Sequence, residues 1–336
     1  MRKQPVIAIA GATGLVGNEM LAVLEQLDVP CQELRLFASD QSAGEVYSFR
    51  DHEVSVEVLS ESSFEGVDIA LFATSASLSE KFVPLAAQAG AVAIDNSSHF
   101  RMKPEVPLVV PEVNADILSA EDKIIANPNC STIQLVPVLN VIHRHAGLRR
   151  VVVSTYQSVS GAGKSALDEL WAQTLAIFNQ KDVPIEAFQH QIAFNCIPQI
   201  DVILDNGYTK EEFKIINESR KILRLPELKI TATAVRVPVF HSHAESVNVE
   251  TERELTPGQL AELLASEQGI EVYPNFLEYP MQLKVASTDN IHVGRIRKDD
   301  SVDHGLDMWV VADNVRKGAA LNAVQIAQYL LQKFGS

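Results

Sequence analysis

Residues 5–27 read PVIAIAGATGLVGNEMLAVLEQL and constrain the fold more than any other stretch of the chain. A short, wholly apolar run reads as a strand buried on both faces. Glycines at 11, 14 and 17 follow it directly, and from residue 18 the apolar positions recur at helical spacing. A strand covered on both faces and followed at once by a helix belongs to a parallel sheet, because parallel neighbours need long crossovers. Further apolar strands are predicted at ELRLFAS, DIALFAT, AVAIDNSS and KIIANPN. Between them EKFVPLAAQAG reads as a helix closed by Gly90 as its C-terminal cap. This alternation covers residues 1–130 and predicts a parallel sheet with helices on both faces.

The glycine turn itself suits a ligand. Small residues between a strand and a helix let a dinucleotide pyrophosphate approach the backbone and sit at the positive helix N-terminus. The spacing is GxxGxxG, not the commoner GxGxxG, so a tight turn without a ligand is the competing reading. At the end of the second strand, LFASDQSAG offers Asp40 for ribose hydroxyls, while Ser39, Gln41 and Ser42 can equally bond a 2′-phosphate. These residues leave the choice between NAD and NADP open.

The rest of the chain changes character. RRVVVSTYQSV, KITATAVRVPV, ESVNVETE, HVGRIRKD and LDMWVVAD alternate or are rich in β-branched residues, as half-buried strands are. KSALDELWAQTLAIFN and TPGQLAELLAS are predicted helices. The fold class is therefore α/β. An N-terminal Rossmann-like dinucleotide-binding domain, residues 1–130, precedes an α+β domain, residues 131–314, with a mixed, largely antiparallel sheet. The amphipathic C-terminal segment 315–336 is expected to pack back on the first domain.

The chemistry concentrates around Cys130, which stands between the polar turn Asn127-Pro128-Asn129 and the apolar run STIQLVPVLNVI. A packing cysteine belongs inside such a run. At its entrance the helix dipole favours the thiolate, and free first-turn N–H groups can hold an oxyanion. The three cysteines, Cys31, Cys130 and Cys196, are too few and odd for a disulfide scaffold, which points to a reducing cytosol. Cys31 and Cys196 lack such a setting and read as buried packing thiols. A thiolate needs a partner acid or base. Among nine histidines, His143 and His145 lie on a predicted helix, His190 in a polar loop, and His241 and His243 between two strands behind Arg236. No acidic or cysteine cluster at ligand spacing joins the His-x-His pair, so no metal is expected.

A net charge of −15 argues against nucleic-acid and anionic-membrane partners, leaving room for a local basic pocket. The N-terminal apolar run breaks too early for a leader or anchor, and no stretch approaches the ~20 apolar residues of a membrane span. Cysteine, histidine and a nucleotide turn together suit a thioester that exchanges hydride with a nicotinamide.

The chain resembles the aspartate-semialdehyde dehydrogenase family, in the branch common in Gram-positive bacteria. The resemblance runs nearly end to end through GATGLVG, SAG, DNSSHFRM, VPLVVPEVN, NPNCSTIQ, STYQSVSGAG, FNCIPQIDV, RVPVFHSHAESV, VGRIRKD and DNVRKGAALNAVQIA. It implies that Cys130 is the nucleophile and that His243 is the acid/base, matching the family's HSES segment, here HAES, with His241 a bystander. Gln157 resembles the glutamine that orients substrate at the thiol, and Arg236 the arginine that grips its α-carboxylate. Arg101 and Lys214 resemble the phosphate-binding pair, and Glu211 the group that holds the substrate ammonium. Read from the residues alone, Glu211 and Lys214 would be a solvated helix face. Gly11, Thr13, Gly14, Leu15 and Val16 resemble the pyrophosphate turn, and Ser160, Gly161 and Asn314 the nicotinamide contacts.

The implied reaction is reversible, NADP-linked reduction of L-aspartyl 4-phosphate to L-aspartate 4-semialdehyde, on the route to lysine, threonine and methionine. The implied assembly is a cytoplasmic homodimer, or a tetramer of two dimers. One departure stands out: the family often has RSAG where this chain has QSAG. Gln41 brings no charge to a 2′-phosphate, so weaker NADP discrimination or some NAD use is expected. The alternative reductase acting on N-acetyl-γ-glutamyl phosphate fits less well, since NPNCSTIQ differs from its usual PGCYPT. A non-catalytic regulatory relative would be expected to have lost the thiol.

Overall fold

The computed structural model describes residues 2–335, which divide into two compact units, 2–129 with 319–335 and 130–318. In the first unit the elements are β1 (Val6–Ala10), α1 (Leu15–Gln26), β2 (Glu33–Ala38), β3 (Val46–Phe49), β4 (His52–Val58), β5 (Ile69–Phe72), α2 (Ala76–Gln88), β6 (Val92–Asp95), α3 (Pro111–Asn114) and β7 (Ile124–Ala126). The second unit comprises α4 (Cys130–Ala146), β8 (Leu148–Gln157), α5 (Lys164–Phe178), α6 (Lys210–Leu223), β9 (Lys229–Arg236), β10 (His243–Thr251), α7 (Pro257–Ala265), β11 (Ile270–Tyr273), α8 (Gln282–Val285), β12 (Ile291–Asp299) and β13 (Gly305–Ala312). A π-helical turn, Arg316–Leu321, then leads to α9 (Asn322–Phe334), which returns to the first unit.

The first unit is built on a seven-stranded sheet ordered β3-β4-β2-β1-β5-β6-β7. All pairs are parallel except β3 with β4. β1, β5 and β6 are buried at every residue, as two-sided coverage demands. α1 packs on β1 and α9 on β5 and β6, and the two helices contribute Met20, Leu24, Val324, Ile326 and Leu330 to the core. Asn322 pins the start of α9 by donating to the Val109 carbonyl at 3.0 Å and to Asn127 Oδ1 at 2.6 Å.

The second unit carries a mixed sheet ordered β11-β12-β13-β10-β8-β9. β10 is antiparallel to both neighbours, while β9 joins β8, and β11 joins β12, in parallel. One face is wholly buried: on β10 it shows His243, Glu245, Val247 and Val249, and on β8 Gln157, Thr155, Val153 and Val151. α4 packs on the sheet at β8, β10 and β13. The opposite face leaves Tyr156 exposed and Ser154, Val152 and Trp309 half-buried. The period-2 pattern read in these segments is this division of faces.

Candidate active site

In the first unit each glycine of the turn has its own reason. Gly11 has φ +84°, and a Cβ there would lie 2.4 Å from the Ala73 carbonyl oxygen. A Cβ on Gly17 would come within 2.2 Å of the Gly11 carbonyl oxygen, so the third glycine seats α1 on the strand. Gly14, the N-cap of α1, is open: its Cβ would meet only the Gly11 oxygen, at 3.4 Å. No side chain caps α1, so its first-turn N–H groups stay available to an anion. The Gly11 and Ala12 amides bond the Phe37 carbonyl, setting the turn beside the end of β2. Ser39 follows there as the N-cap of a 3₁₀ turn that carries Gln41 and Ser42; Ser39 and Gln41 are exposed and Ser42 half-buried. These features fit a dinucleotide pyrophosphate and ribose. Arg101, also in this unit, is buried and donates to the carbonyls of Asn127 (2.9 Å) and Asn96 (2.7 Å).

In the second unit, register does the assembling. Arg236 on β9 pairs with Gln157 on β8, and Gln157 pairs with His243 on β10. Three residues far apart in sequence thus form one transverse row on the covered face of the sheet. His243 is the first residue of β10 and not part of the loop before it. Cys130 is the first residue of α4, half-buried, where the dipole of a 17-residue helix favours negative charge. Gln157 donates to Ser131 Oγ at 3.1 Å, tying the row to the residue after Cys130, and to Glu211 Oε1 at 3.2 Å.

His243 is fully buried. The Ser158 N–H donates to its Nδ1 at 3.1 Å, so that nitrogen keeps its lone pair and the neutral ring carries its proton on Nε2. No described residue bonds Nε2. A Cβ on Gly161 would lie 3.1 Å from Nε2 and 3.0 Å from Arg236 Nη1, so the bare backbone of Gly161 flanks both groups. Burial, and then the Arg236 charge, push the His243 pKa down to about 3. In this state the imidazole is a hydrogen-bond donor.

Arg236 anchors one arm on the Ser158 carbonyl at 2.6 Å. Burial pulls its pKa down against the charges of Glu211 and Cys130, and its own charge acts in turn on His243. Glu211 is buried at the N-terminus of α6 and accepts from Lys214 Nζ at 3.0 Å, and Asp201 Oδ2 accepts from the same ammonium at 2.9 Å. Burial works to lower the Lys214 pKa, but the two carboxylates raise it overall. Asn314 Oδ1 accepts from the hydroxyls of Ser158 and Ser160, both at 3.1 Å, and from the Ser242 N–H at 2.9 Å. It thereby braces the residues on either side of His243.

This constellation can be set beside known proteins. Residues 6–120 match the model of the semialdehyde dehydrogenase NAD binding domain, and residues 139–317 that of the semialdehyde dehydrogenase dimerisation domain. Aspartate-semialdehyde dehydrogenase of Aquifex aeolicus is 51% identical over 97% of this chain and 98% of its own. The chain belongs to the aspartate-semialdehyde dehydrogenase family. The Bacillus subtilis member is 46% identical over 96% of both chains. A crystal structure of aspartate semialdehyde dehydrogenase II from Vibrio cholerae, complexed with ASA, is 48% identical, covers 98% of this chain and 99% of its own, and superposes with a TM-score of 0.97.

As a member of this family the chain is an oxidoreductase with a nicotinamide-dinucleotide-binding domain. Among its predicted site residues, Gln157, Ser160, Gly161, Glu211, Lys214, Arg236, His243 and Asn314 are joined by these contacts, with Cys130 at the helix start. Gly11 to Val16 and Ser39 to Ser42 gather separately at the turn of the first unit. The reading of Glu211 and Lys214 as a solvated face fails, since Glu211 is only 4% exposed. Cys196 is exposed, and Cys31 half-buried with its pKa raised by burial, so neither is a fully buried thiol. Sequence reasoning missed Ser158, which fixes the His243 tautomer, and Asp201, the second partner of Lys214. Ser158 lies inside STYQSVSGAG between two chosen residues, whereas a lone Asp201 gives no local signal. Among the described residues no helix is long and apolar enough to cross a membrane.

Proposed function

We propose that this chain catalyses the reversible, NADP-linked reduction of L-aspartyl 4-phosphate to L-aspartate 4-semialdehyde and phosphate, in the cytoplasm, for lysine, threonine and methionine synthesis. The observation that carries this reading is the single row Arg236–Gln157–His243 behind a cysteine that opens a helix. It supplies, in one buried site, a nucleophile, a carboxylate-binding fork and an oxyanion donor.

The Cys130 thiolate attacks the acyl carbon, a C–S bond forms, and the C–O bond to phosphate breaks. Arg101 and Lys214 take the departing phosphate. First-turn N–H groups of α4 and the His243 Nε2–H stabilise the tetrahedral oxyanions. A nicotinamide held beside Ser160, Gly161 and Asn314 would supply hydride to the thioester carbon, leaving a thiohemiacetal oxyanion on Cys130. That oxyanion then re-forms its carbonyl and expels the Cys130 thiolate, with His243 as its hydrogen-bond donor. Arg236 holds the α-carboxylate bidentately, Glu211 the ammonium, and Gln157 orients the reacting carbonyl.

The pyrophosphate falls to the N-terminus of α1 through Gly11, Thr13, Gly14, Leu15 and Val16. Ser160, Gly161 and Asn314 serve the nicotinamide side. Ser39, Gln41 and Ser42 meet the 2′-phosphate without a cation, so some NAD use accompanies NADP. The chain works as a homodimer, or as a pair of dimers, in keeping with the dimerisation-domain model it matches.

Phosphate-dependent oxidation of the semialdehyde, followed at the nicotinamide absorbance, tests this. Activity is expected with NADP and measurably with NAD, and Cys130→Ala should abolish it while leaving the fold intact. Turnover that persists in Cys130→Ala would overturn the assignment. A preference for N-acetyl-γ-glutamyl phosphate would move the substrate, and an NADP preference of many thousandfold would remove the NAD claim.

A further inference from the structure

The β8–β10 ladder runs up to the pair Gln157–His243 and stops there. Ser158 and Ser242 would face each other next, but among the described residues no backbone hydrogen bond joins them. Side chains take their backbone groups instead. The Ser158 N–H goes to His243 Nδ1 at 3.1 Å, and the Ser158 carbonyl accepts from Arg236 Nη1 at 2.6 Å. The Ser242 N–H goes to Asn314 Oδ1 at 2.9 Å, and the Ser242 carbonyl accepts from Gln282 Nε2 at 2.7 Å. His243, Arg236 and Asn314 all belong to the candidate site. Gln282 does not, yet it completes the same set.

Gln282 opens the short helix α8. Val285 of that helix clusters with Ala244 and Val311, and Trp309 packs against them. Ala244 alternates with His243 along β10, so α8 lies on the face of the sheet opposite to the imidazole. From there the Gln282 Nε2 also donates to the Tyr156 carbonyl at 2.9 Å. A carboxamide nitrogen carries two N–H bonds, and here each serves one strand. The Ser242 carbonyl shares its peptide group with the nitrogen of His243, and the Tyr156 carbonyl shares its own with the nitrogen of Gln157. One side chain thus sets the two peptide planes that lead into neighbouring site residues.

Ser242 needs such a hold. It is fully buried at φ +68°, and its hydroxyl has no partner among the described residues. A non-glycine residue in the left-handed region is strained and persists only where its neighbours over-determine it. Asn314 fixes its N–H and Gln282 its carbonyl. With the carbonyl released, the peptide is free to turn, and the imidazole of the next residue turns with it.

We propose that Gln282 is a positioning residue for the reaction: its amide clamps the carbonyls of Ser242 and Tyr156 and so holds the His243 imidazole and the Gln157 amide in their row. It acts through them, from the far face of the sheet. The inference rests on the proposed reaction in its kinetic arm, so a second arm involves no turnover.

The kinetic arm compares wild type with Gln282→Glu and Gln282→Leu. Gln282→Glu keeps the shape but turns carboxylate oxygens toward two carbonyls, where no donor remains. Both variants are expected to lower kcat about 10–100-fold, while KM for the semialdehyde stays within about threefold because Arg236 keeps its anchor on Ser158. In the second arm diethyl pyrocarbonate modifies accessible imidazoles, and mass spectrometry reads each histidine separately. His243 is fully buried and His241 exposed. Local opening should raise carbethoxylation of His243 about tenfold in both variants and leave His241 at its wild-type rate. If Gln282→Glu does not fold, Gln282→Leu carries both arms. Wild-type kcat in these variants would overturn the clamp. A KM that rises as far as kcat falls would also overturn it, by placing Gln282 in substrate binding. An unchanged rate at His243 would break the link to the imidazole. Should wild type itself not turn over the semialdehyde, the reaction fails, and the carbethoxylation arm alone decides the clamp.

Discussion

Gly318 sits in the π-helical turn, where its N–H bonds the Asp313 carbonyl five residues back at 2.8 Å. Replacing it with alanine would put a Cβ 2.9 Å from Cys130 Cβ, 3.2 Å from its Cα and 3.4 Å from its carbonyl oxygen. Carbon atoms rest at about 3.5–4.0 Å, so one side must retreat by roughly 0.6–1 Å. The turn has little room to yield, because the Asp313 carboxylate accepts from the amides of Ser287, Val315 and Arg316. Cys130, at the N-terminus of α4, is the side that moves. On the proposed reaction Cys130 is the nucleophile, and a nucleophile displaced by ~1 Å costs on the order of 10²-fold in rate, or about 2.7 kcal/mol of barrier. Overpacking costs a further ~1–3 kcal/mol of stability. The assay is steady-state kcat and KM of Gly318→Ala, with thermal melting and the rate of Cys130 alkylation. kcat is expected to fall about a hundredfold in a folded protein. Wild-type kcat in this variant would refute the argument that the glycine exists to admit the cysteine.

Two further outcomes follow from the contacts. His243 takes a proton near pH 6.5 in the unfolded chain but only near about 3 when folded. A lowered pKa on a base leaves stability undiminished above ~6.5 and erodes it by ~1.4 kcal/mol per unit as pH falls from there. His243→Gln cannot take that proton, so its stability should decline less steeply between pH 6 and pH 4, and identical slopes would show that the imidazole is protonated in the folded protein. Glu212 caps α6 through Thr209 and also accepts from the Ala234 N–H at 3.0 Å on the edge strand β9. Glu212→Ala strands that N–H and removes a cap, at about 2–4 kcal/mol together. A lowered melting temperature and a raised KM for the semialdehyde, through Arg236 two residues on, are expected. An unchanged melt would contradict this account.

What could be read from the sequence was local. The glycine turn and Cys130 each carry their meaning within ten residues, because a strand, a tight turn and a helix start are short-range events. The row Arg236–Gln157–His243 is not local. It depends on the register of three strands whose order in the sheet, β9-β8-β10, differs from their order in the chain. Here the family resemblance named residues whose placement no periodicity could give. The burial of Glu211 was hidden for a related reason. On a helix of mean polar character its face looks solvated, and only the packing of α6 on α4 and β9 turns its first turn inward.

A chain of net charge −15 that handles an anionic substrate must concentrate its positive potential. The site does so by isolation. Lys214 is matched by Glu211 and Asp201, and its raised pKa records that match. Arg236 is anchored on a carbonyl oxygen, so its charge is not cancelled at that contact, and burial strains it enough to lower its pKa. Burial, and then the same field, depress His243. Two groups pushed toward neutrality side by side mark a place where negative charge is wanted, and a bound carboxylate relieves both at once. On the proposed reaction the ground-state protein therefore already holds the polarity that the oxyanion will need, and little reorganisation remains for the moment of transfer.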